Sequence, residues 1–370
     1  MRIGLVAPPW VPVPPTKYGG TESVLDNLAR GLVDRGHEVV LYTVGTSTCP
    51  VEKRWLFDQP VGPIGTGEPE AAHVLAAYTS LARDVDVIHD HTALGPLIAP
   101  ALGAAAPGSA SVPVALTLHG PPTDAVRRLL LPDIARHAAL VAISEAQRRS
   151  APDLPITHVI HHGIDLDLYK PGPGGGGYLM FVGRMSPDKG VHRAVDIAQR
   201  TGMPLVIAAK MWEEVEVDYF RAEVEPRLHD RVELLLDADR EHRLELLGRA
   251  EALLNPICWA EPFGLVMAEA LACGTPVVGS PYGAAPEIVD DGVTGFLRES
   301  DDALVEALGR LGELDREACR LAAVERFSIE RMARDHERLY DGLVGTARRR
   351  DVTAIDLRQP REGVHTLGQH

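Results

Sequence analysis

Cysteine and long apolar segments are scarce in this sequence, and each scarcity excludes a class of protein. The four cysteines of the 370-residue chain stand far apart and form no CxxC pair: Cys49, Cys258, Cys273 and Cys319. A disulfide framework or a zinc site is therefore disfavoured, and reduced thiols in a cytoplasmic protein are expected. No apolar run approaches the roughly 20 residues of a membrane span, and the first residues form no signal-peptide pattern. We therefore expect no stable membrane insertion.

Positive charge is also scarce, with 37 Lys and Arg against 52 Asp and Glu and a formal net charge of −15. Nucleic acid is not expected as a partner, because a phosphate backbone needs a basic surface. A small anion is not excluded, because a few cations and helix N-termini in one cleft are enough to bind it. Aromatic residues make up 5% of the chain, whereas 35 glycines and 29 prolines suit many tight turns.

Short apolar runs alternate with helical patterns along nearly the whole chain. Helical spacing is clear over residues 21–34 and again over the amphipathic segments 301–314 and 328–342. The predicted strands of the first half are residues 3–7, 38–43, 85–89, 114–118, 139–142 and 157–160. Those of the second half are residues 178–182, 205–208, 232–236, 252–255, 276–279 and 295–297. Apolar strands separated by helices predict parallel, doubly wound sheets.

A proline- and glycine-rich stretch, residues 171–177, ends in four glycines and cannot hold a helix or a central strand. It predicts a flexible linker between an N-terminal Rossmann-like domain (1–170) and a C-terminal one (178–346). The last helix of the second domain could pack back on the first, and the polar tail 347–370 is expected to be disordered. Two such sheets facing each other leave a cleft at the carboxyl ends of their strands.

The most informative segment is residues 261–278, EPFGLVMAEALACGTPVV. Its proline and glycines predict a helix that begins near Gly264 and ends at the second glycine. The unpaired amides of Gly264, Leu265 and Val266 would form an anion site. Glu261 in the entering loop and Glu269 about one turn inside the helix would then bind hydroxyls of the same ligand, Glu261 on a sugar and Glu269 on a ribose.

A second segment, residues 181–190 (FVGRMSPDKG), follows a predicted strand and opens a helix. Arg184 and Lys189 would converge at the end of that strand. Two cations beside helix N-termini favour a diphosphate, whose negative charge grows when it departs as a leaving group. The alternative is that both are surface cations beside a turn.

These two segments resemble glycosyltransferase family 4, and the resemblance extends over roughly residues 1 to 345. It implies the GT-B fold, two facing Rossmann-like domains with the ligands in the cleft between them. It also implies a retaining hexosyltransferase that needs neither a cofactor nor a metal. Glu261 and Glu269 match the family's Glu-x7-Glu signature, and the family places Arg184 and Lys189 on the diphosphate of the donor. UDP-glucose is the first candidate donor, followed by other UDP- and GDP-hexoses.

The resemblance assigns roles to two motifs of the first half as well. The loop with Gly19 and Gly20 would reach over the donor phosphates and the acceptor. His119 would lie beside the transferred sugar, with a proton relay as a second role. Two departures from the family pattern border the base pocket: AKM at residues 209–211 replaces a glycine-rich loop, and Asp237 replaces a glycine. Lys210 in the first of them is either a third cation at the diphosphate or solvated.

Several alternatives are open at this stage. DxD triplets at 84–86, 165–167 and 237–239 are expected by chance in an acidic chain, and neither of the histidine groups at 89–91 and 158–162 has zinc spacing. A nucleotide-sugar 2-epimerase and a non-catalytic sugar-nucleotide-binding protein share the predicted fold. The acceptor could be a small molecule, a saccharide or a lipid-linked sugar, because the leucines at 129–131 beside two arginines could touch a membrane surface.

Overall fold

The computed structural model describes residues 1–17, 19–62, 65, 67–92, 94–95, 97, 112–236 and 238–356. Within these residues thirteen strands form two sheets in which every pairing is parallel. The strands are β1 (Arg2–Val6), β2 (Glu38–Thr43), β3 (Glu52–Trp55), β4 (Val87–Asp90), β5 (Val114–Thr117), β6 (Ala139–Ala142), β7 (Ile156–Val159), β8 (Leu179–Arg184), β9 (Leu205–Lys210), β10 (Val232–Leu236), β11 (Ala252–Asn255), β12 (Val277–Gly279) and β13 (Gly295–Leu297).

The first sheet has the order β3-β2-β1-β4-β5-β6-β7, and the second has the order β10-β9-β8-β11-β12-β13. Each is the sheet of one lobe, here called the N-terminal and the C-terminal lobe. The helices are α1 (Gly20–Asp34), α2 (Gly67–Leu81), α3 (Ala125–Ile134), α4 (Glu145–Ser150), α5 (Val191–Thr201), α6 (Glu214–Tyr219), α7 (Arg240–Arg249), α8 (Leu265–Ala272), α9 (Ala285–Ile288), α10 (Asp301–Leu308), α11 (Arg316–Phe327) and α12 (Ile329–Asp356). No helix in the described part of the chain combines the length and the apolar composition of a membrane span.

Strand β3 is the strand that the sequence did not predict. It carries charged side chains, and it lies at the edge of the N-terminal sheet, paired on one side with β2. Arg2 and Arg54 form ion pairs with Glu52 and Asp84 across this edge. Charged residues are common on edge strands because they discourage pairing with another chain, and they also remove the apolar pattern that a prediction needs.

The last helix, α12, leaves the C-terminal lobe and packs on the N-terminal one. It crosses α1 at Gly31, where a Cβ atom would lie 2.6 Å from Cγ2 of Ile329 and 3.0 Å from Cβ of Ala333. Tyr340 on the same helix is completely buried in the N-terminal core. The helix continues to Asp356 and so includes the first ten residues of the tail for which the sequence predicts disorder. Helix-forming Ala and Arg residues there extend a helix that packing has already nucleated. The rest of the expected tail lies outside the described residues.

The glycine-rich segment 171–177 lies against the C-terminal lobe. The amides of Gly174 and Gly176 donate to the carbonyls of Gly248 and Arg249, at 3.0 and 2.9 Å. A Cβ atom at Gly172 would lie 2.2 Å from the Gly248 oxygen, so the backbone can approach α7 only because a glycine stands there. The segment predicted to be a flexible linker is thus hydrogen-bonded to the last turn of α7, which offers carbonyls that lack helical partners.

The chain crosses between the lobes at two places that lie side by side. The amide of Ile164 donates to the carbonyl of Phe327 at 2.8 Å, and Ile164 forms a parallel bridge with Ser328. Arg331 in α12 donates to the carbonyl of His162 on the first crossing at 3.0 Å. Any change in the angle between the lobes must therefore bend this paired double crossing.

Candidate active site

A cleft between the two lobes encloses about 740 Å³, within the range of about 300–1,000 Å³ that is typical of small-molecule sites. Its walls are formed by loops at the carboxyl ends of strands from both sheets, the position where parallel α/β proteins bind ligands. The structure brings most of the predicted site residues to this cleft: Gly19, Gly20, His119, Lys189, Glu261, Gly264, Leu265, Val266 and Glu269. Arg184 and Lys210 are not among the residues that line it.

The start of α8 is open to the cleft. Gly264 adopts a left-handed conformation (φ 93°) ahead of the helix, and no side chain caps the first turn. A Cβ atom at Gly264 would lie 2.4 Å from Cε of Met267, so a larger residue would disturb the turn as well as strain the backbone. The first amides of α8 therefore offer hydrogen bonds and a partial positive charge to a ligand in the cleft.

Lys189 and Glu261 form an ion pair on the cleft wall, and both side chains are largely buried, with 16% and 14% exposed. The indole Nε1 of Trp259 donates to the same carboxylate oxygen at 3.2 Å, and the ammonium group lies 5.2 Å from the centre of its ring. Gly190 (φ 71°) lets the Lys189 turn approach the loop after β11, since a Cβ there would lie 2.1 Å from the carbonyl oxygen of Pro256. Lys189 is thus held at the cleft by a carboxylate that a stronger anion could displace.

The two other predicted cations already have acidic partners. Arg184, the last residue of β8, lies 3.1 Å from Asp188, and it is not one of the residues that line the cleft. The Lys210 ammonium lies 3.3 Å from Glu216, and both side chains are buried. Lys210 contributes to a small pocket next to the cleft, together with Gly183.

Two arginines that sequence reasoning missed add positive charge to the C-terminal wall of the cleft. Arg240 and Arg243 stand one turn apart on α7, and both line the cleft. Arg240 also donates to the carbonyl of Pro15 in the opposite lobe at 3.0 Å, next to the glycine loop. Two arginines at i and i+3 were visible in the sequence, but nothing in the pattern linked α7 to the site.

Glu269 has a partner from the segment that joins the lobes. Oε1 of Glu269 accepts a hydrogen bond of 2.7 Å from the hydroxyl of Tyr169. Burial raises the pKa of Tyr169 well above its ordinary value, and Glu269 adds to the shift, so the phenol keeps the proton that it donates. Sequence reasoning missed Tyr169 because it belongs to no motif.

His119 stands at the end of β5, and its Nε2 atom lies 2.8 Å from Nδ1 of His91. Burial, with a smaller contribution from the nearby Arg127, lowers the pKa of His119 to about 3. The imidazole is therefore neutral at neutral pH, which disfavours the proton relay and leaves hydrogen bonding as its chemistry. His91 also lines the cleft, and the sequence showed it only as part of a histidine pair without zinc spacing.

The two lobes and their cleft define the class of protein. Solved structures of GT-B glycosyltransferases superpose over 93% of this chain. They include sucrose-phosphate synthase from Thermosynechococcus elongatus (TM-score 0.79, 20% identity, 99% of that chain) and Anabaena HepE in complex with UDP and glucose (0.73, 21%, 100%). A glycosyltransferase of avilamycin A biosynthesis is 28% identical, with a TM-score of 0.65 and 98% of that chain covered.

Sequence comparison gives the family. Residues 18–168 match the description "Glycosyltransferase Family 4", and residues 170–324 match "Glycosyl transferases group 1". D-inositol 3-phosphate glycosyltransferase of Mycolicibacterium smegmatis is 30% identical over 366 residues, 85% of this chain and 82% of that protein. Alpha-maltose-1-phosphate synthase of Mycobacterium tuberculosis is 35% identical over 193 residues, 45% of this chain and half the length of that relative. The chain belongs to glycosyltransferase family 4.

Proposed function

We propose that this protein is a retaining, metal-independent glycosyltransferase that transfers a hexose from a nucleoside diphosphate sugar to an acceptor hydroxyl. The observation that carries the proposal is the uncapped start of α8, which faces Lys189 in the same cleft. The C-terminal lobe (178–346) would bind the nucleotide sugar, and the N-terminal lobe (1–170) would bind most of the acceptor. UDP-glucose is the first donor to test, followed by other UDP- and GDP-hexoses.

The diphosphate would bind where the amides of Gly264, Leu265 and Val266 meet Lys189. Its oxygens carry more charge than one carboxylate, so they would draw Lys189 away from Glu261. That exchange would leave the Glu261 carboxylate to accept hydrogen bonds from hydroxyls of the sugar. Fixed amide dipoles and a cation then stabilise the charge that grows on the leaving group, and no metal is needed for this.

Arg184 and Lys210 would contribute differently to the same subsite. Arg184 would have to turn away from Asp188. Their ion pair is partly exposed, so breaking it costs little. Lys210 keeps a buried carboxylate partner, so we expect it to shape the neighbouring pocket more than to neutralise phosphate. Glu269, oriented by Tyr169, would accept hydrogen bonds from the ribose.

The reaction would proceed on one face of the sugar. The bond between the anomeric carbon and the phosphate oxygen breaks, and a bond to the acceptor oxygen forms from the same side. The acceptor proton passes to the departing phosphate, so the products are a glycoside and a nucleoside diphosphate, and the anomeric configuration is retained. His119 and the glycine loop of Gly19 and Gly20 would enclose the sugar and exclude water, which would otherwise hydrolyse the donor.

The acceptor would be a small molecule, a saccharide or a lipid-linked sugar. The names of the relatives include both soluble and lipid acceptors: D-inositol 3-phosphate glycosyltransferase and phosphatidyl-myo-inositol mannosyltransferase, the second 28% identical over 89% of this chain. The breadth of these names supports testing both kinds of acceptor.

Calorimetry and thermal-shift measurements with UDP, GDP and ADP, each with and without EDTA, test the donor subsite. We expect at least one nucleotide to bind equally well in both conditions. Incubation with UDP-glucose and each acceptor class should then release UDP and give a product whose anomeric configuration, measured by NMR, matches the donor. Binding that requires a divalent ion, or an epimerised sugar formed from donor alone, would refute the proposal.

A further inference from the structure

Five neighbouring histidines, four of them buried and one partly exposed, lie between α12 and the cleft in a row. We call this set the histidine row; its members in spatial order are His336, His89, His91, His119 and His162. Successive ring centres are 5.1, 4.1, 5.1 and 5.3 Å apart. The rings of His119 and His162 are stacked, and the other three contacts are tilted. No three His, Cys, Asp or Glu residues in the described part of the chain are arranged to hold a metal ion.

The ring nitrogens of the histidine row differ in how many hydrogen-bond partners they have. His89 has a partner at each nitrogen: the hydroxyl of Tyr340 at 2.7 Å and that of Thr117 at 2.8 Å. His91 has one, because Nδ1 lies 2.8 Å from Nε2 of His119 while its own Nε2 is buried without a partner among the described residues. Nδ1 of His119 has no described partner either, but this side chain is partly exposed and lines the cleft.

The hydrogen bond between His91 and His119 joins two neutral rings. Burial lowers the pKa of His91 well below its ordinary value, and the imidazoles of His89 and His119 add to the shift. A neutral imidazole has one N–H donor and one bare acceptor nitrogen. Either Nδ1–H of His91 donates to Nε2 of His119, or Nε2–H of His119 donates to Nδ1 of His91.

The buried Nε2 atom of His91 distinguishes these two arrangements. If His119 donates, the proton of His91 must sit on its own Nε2, where it is an N–H buried without an acceptor. If His91 donates, the same Nε2 is a bare lone pair. Buried N–H groups without an acceptor are the rarer and less tolerated of the two. The arrangement in which His91 donates also leaves His119 with an N–H at Nδ1, on a side chain that lines the cleft, where a ligand can accept its hydrogen bond.

We propose that His91 is a positioning residue: its Nδ1–H donates to Nε2 of His119 and thereby fixes the proton of His119 on Nδ1, aimed as a donor at an oxygen of the transferred sugar. The ligand part rests on the proposed glycosyltransferase function; the hydrogen-bond part does not. Burial, together with the nearby Arg127 and His336, keeps His119 uncharged, so its hydrogen bond is already directed before the sugar binds. Losing that direction should lower turnover roughly tenfold, the scale of one hydrogen bond.

Two substitutions of His91 separate the effect of hydrogen-bond direction from the effect of side-chain packing. The side-chain amide of His91→Asn can place an N–H donor where Nδ1 stands, whereas His91→Gln places its amide nearer the position of Nε2. We expect His91→Asn to keep kcat within about threefold of the unsubstituted protein, and His91→Gln to lose roughly tenfold in kcat with a smaller change in the KM for the donor. UDP release from UDP-glucose, with water or an acceptor, reports kcat. His158→Gln, at a histidine on β7 away from the cleft, is the matched control.

The proton position is read directly from the two ring nitrogens by NMR of protein labelled with ¹⁵N-histidine, with the His119 signal assigned by its loss in His119→Gln. We expect the proton on Nδ1 of His119 in the unsubstituted protein and in His91→Asn, and a mixture of both tautomers in His91→Gln. A proton on Nε2 of His119 in the unsubstituted protein, or equal turnover in the two variants, overturns the inference. If instead the proton is on Nδ1 but no sugar nucleotide binds, the proposed function fails and the hydrogen-bond assignment stands.

Discussion

The hydroxyl of Tyr169 donates a 2.7 Å hydrogen bond to Oε1 of Glu269, across 100 positions of sequence. Tyr169 belongs to the segment that follows the first crossing between the lobes, and Glu269 belongs to the helix whose start faces the cleft. This bond couples the path of the chain between the lobes to the orientation of a proposed ribose-binding carboxylate. Binding of the nucleotide should therefore depend on a residue outside every motif.

Tyr169→Phe tests this coupling. Removing the hydroxyl leaves the ring in place but frees the Glu269 carboxylate to adopt other orientations. We expect the Kd for UDP to rise roughly 2- to 10-fold, the effect of one intramolecular hydrogen bond, with little change in kcat. Calorimetry with UDP measures it. Tyr178→Phe removes a similar 2.7 Å bond, to the carbonyl of Leu246 away from the cleft, and should leave the Kd unchanged. Equal effects of the two variants would contradict the role given to Tyr169.

Lys189→Ala and Arg184→Ala test the diphosphate subsite. Each should cost about 2–4 kcal/mol of transition-state stabilisation, a loss of roughly 30- to 1,000-fold in kcat/KM, because a cation that stabilises the leaving group is removed. Steady-state kinetics with UDP-glucose measures this loss. Arg200→Ala removes a comparable surface ion pair, with Asp302, and is the control. Full turnover in either of the two alanine variants would contradict the assignment of that cation to the diphosphate.

Glu22 gives the cleft a pH-sensitive carboxyl group. It is 6% exposed in the first turn of α1, and burial raises its pKa to about 7 from 4.5. Because the folded-state pKa is the higher one, the folded protein holds a proton between these values that the unfolded chain has released. Stability is therefore greatest below pH 4.5 as far as this group is concerned, and it falls as the pH rises towards 7.

The side chain of the Glu22→Gln variant cannot ionise, so the variant should not lose this stability as the pH rises towards 7. We expect the free energy of unfolding of the variant, relative to the unsubstituted protein, to increase between pH 5 and pH 8. Chemical denaturation at several pH values measures the difference, and Glu306→Gln at an exposed position of α10 is the control. A difference that does not depend on pH would mean that Glu22 is ionised in the folded protein at both values.

Glu287 forms hydrogen bonds that join the two lobes. Glu287 belongs to the C-terminal lobe, and its carboxylate accepts hydrogen bonds from two amides at the start of α4 in the N-terminal lobe, Glu145 at 2.8 Å and Ala146 at 2.6 Å. The same carboxylate lies 2.9 Å from Nε2 of His161. Burial alone would raise the pKa of Glu287, but these hydrogen bonds lower it below its ordinary value. The contribution of Glu287 to stability is therefore present above the ordinary pKa and is lost as the pH falls through the lowered one.

Glu287→Gln should open the lobes. The amide offers a weaker acceptor to the helix start, so we expect a loss of about 1 kcal/mol in the free energy of unfolding at pH 7, typical of a lost N-terminal cap. This loss should shrink as the pH falls below the ordinary pKa of 4.5 and through the lowered pKa of Glu287. The radius of gyration from small-angle scattering should increase at the same time. Glu325→Gln, at an exposed position of α11, is the control. An unchanged radius with normal stability would show that Glu287 does not hold the lobes together.

The sequence by itself determined what depends on neighbours along the chain. Twelve of the thirteen described strands lie within a few residues of their predicted positions, because a run of apolar residues between turn signals is a local pattern. The start of α8 was also predictable, since Pro262 and Gly264 act on the backbone next to them. The exception among the strands is β3, whose charged residues become a strand only through pairing with β2.

Tertiary structure alone decided which distant groups meet. Glu269 accepts a hydrogen bond from Tyr169, and Arg184 pairs with Asp188 and does not line the cleft. The glycine-rich stretch is hydrogen-bonded to α7. The histidine row joins four elements that are up to 247 residues apart, from His89 to His336. Such contacts depend on sheet register and on how the lobes are placed, and these follow from the packing of the whole chain, which no local pattern of side chains encodes.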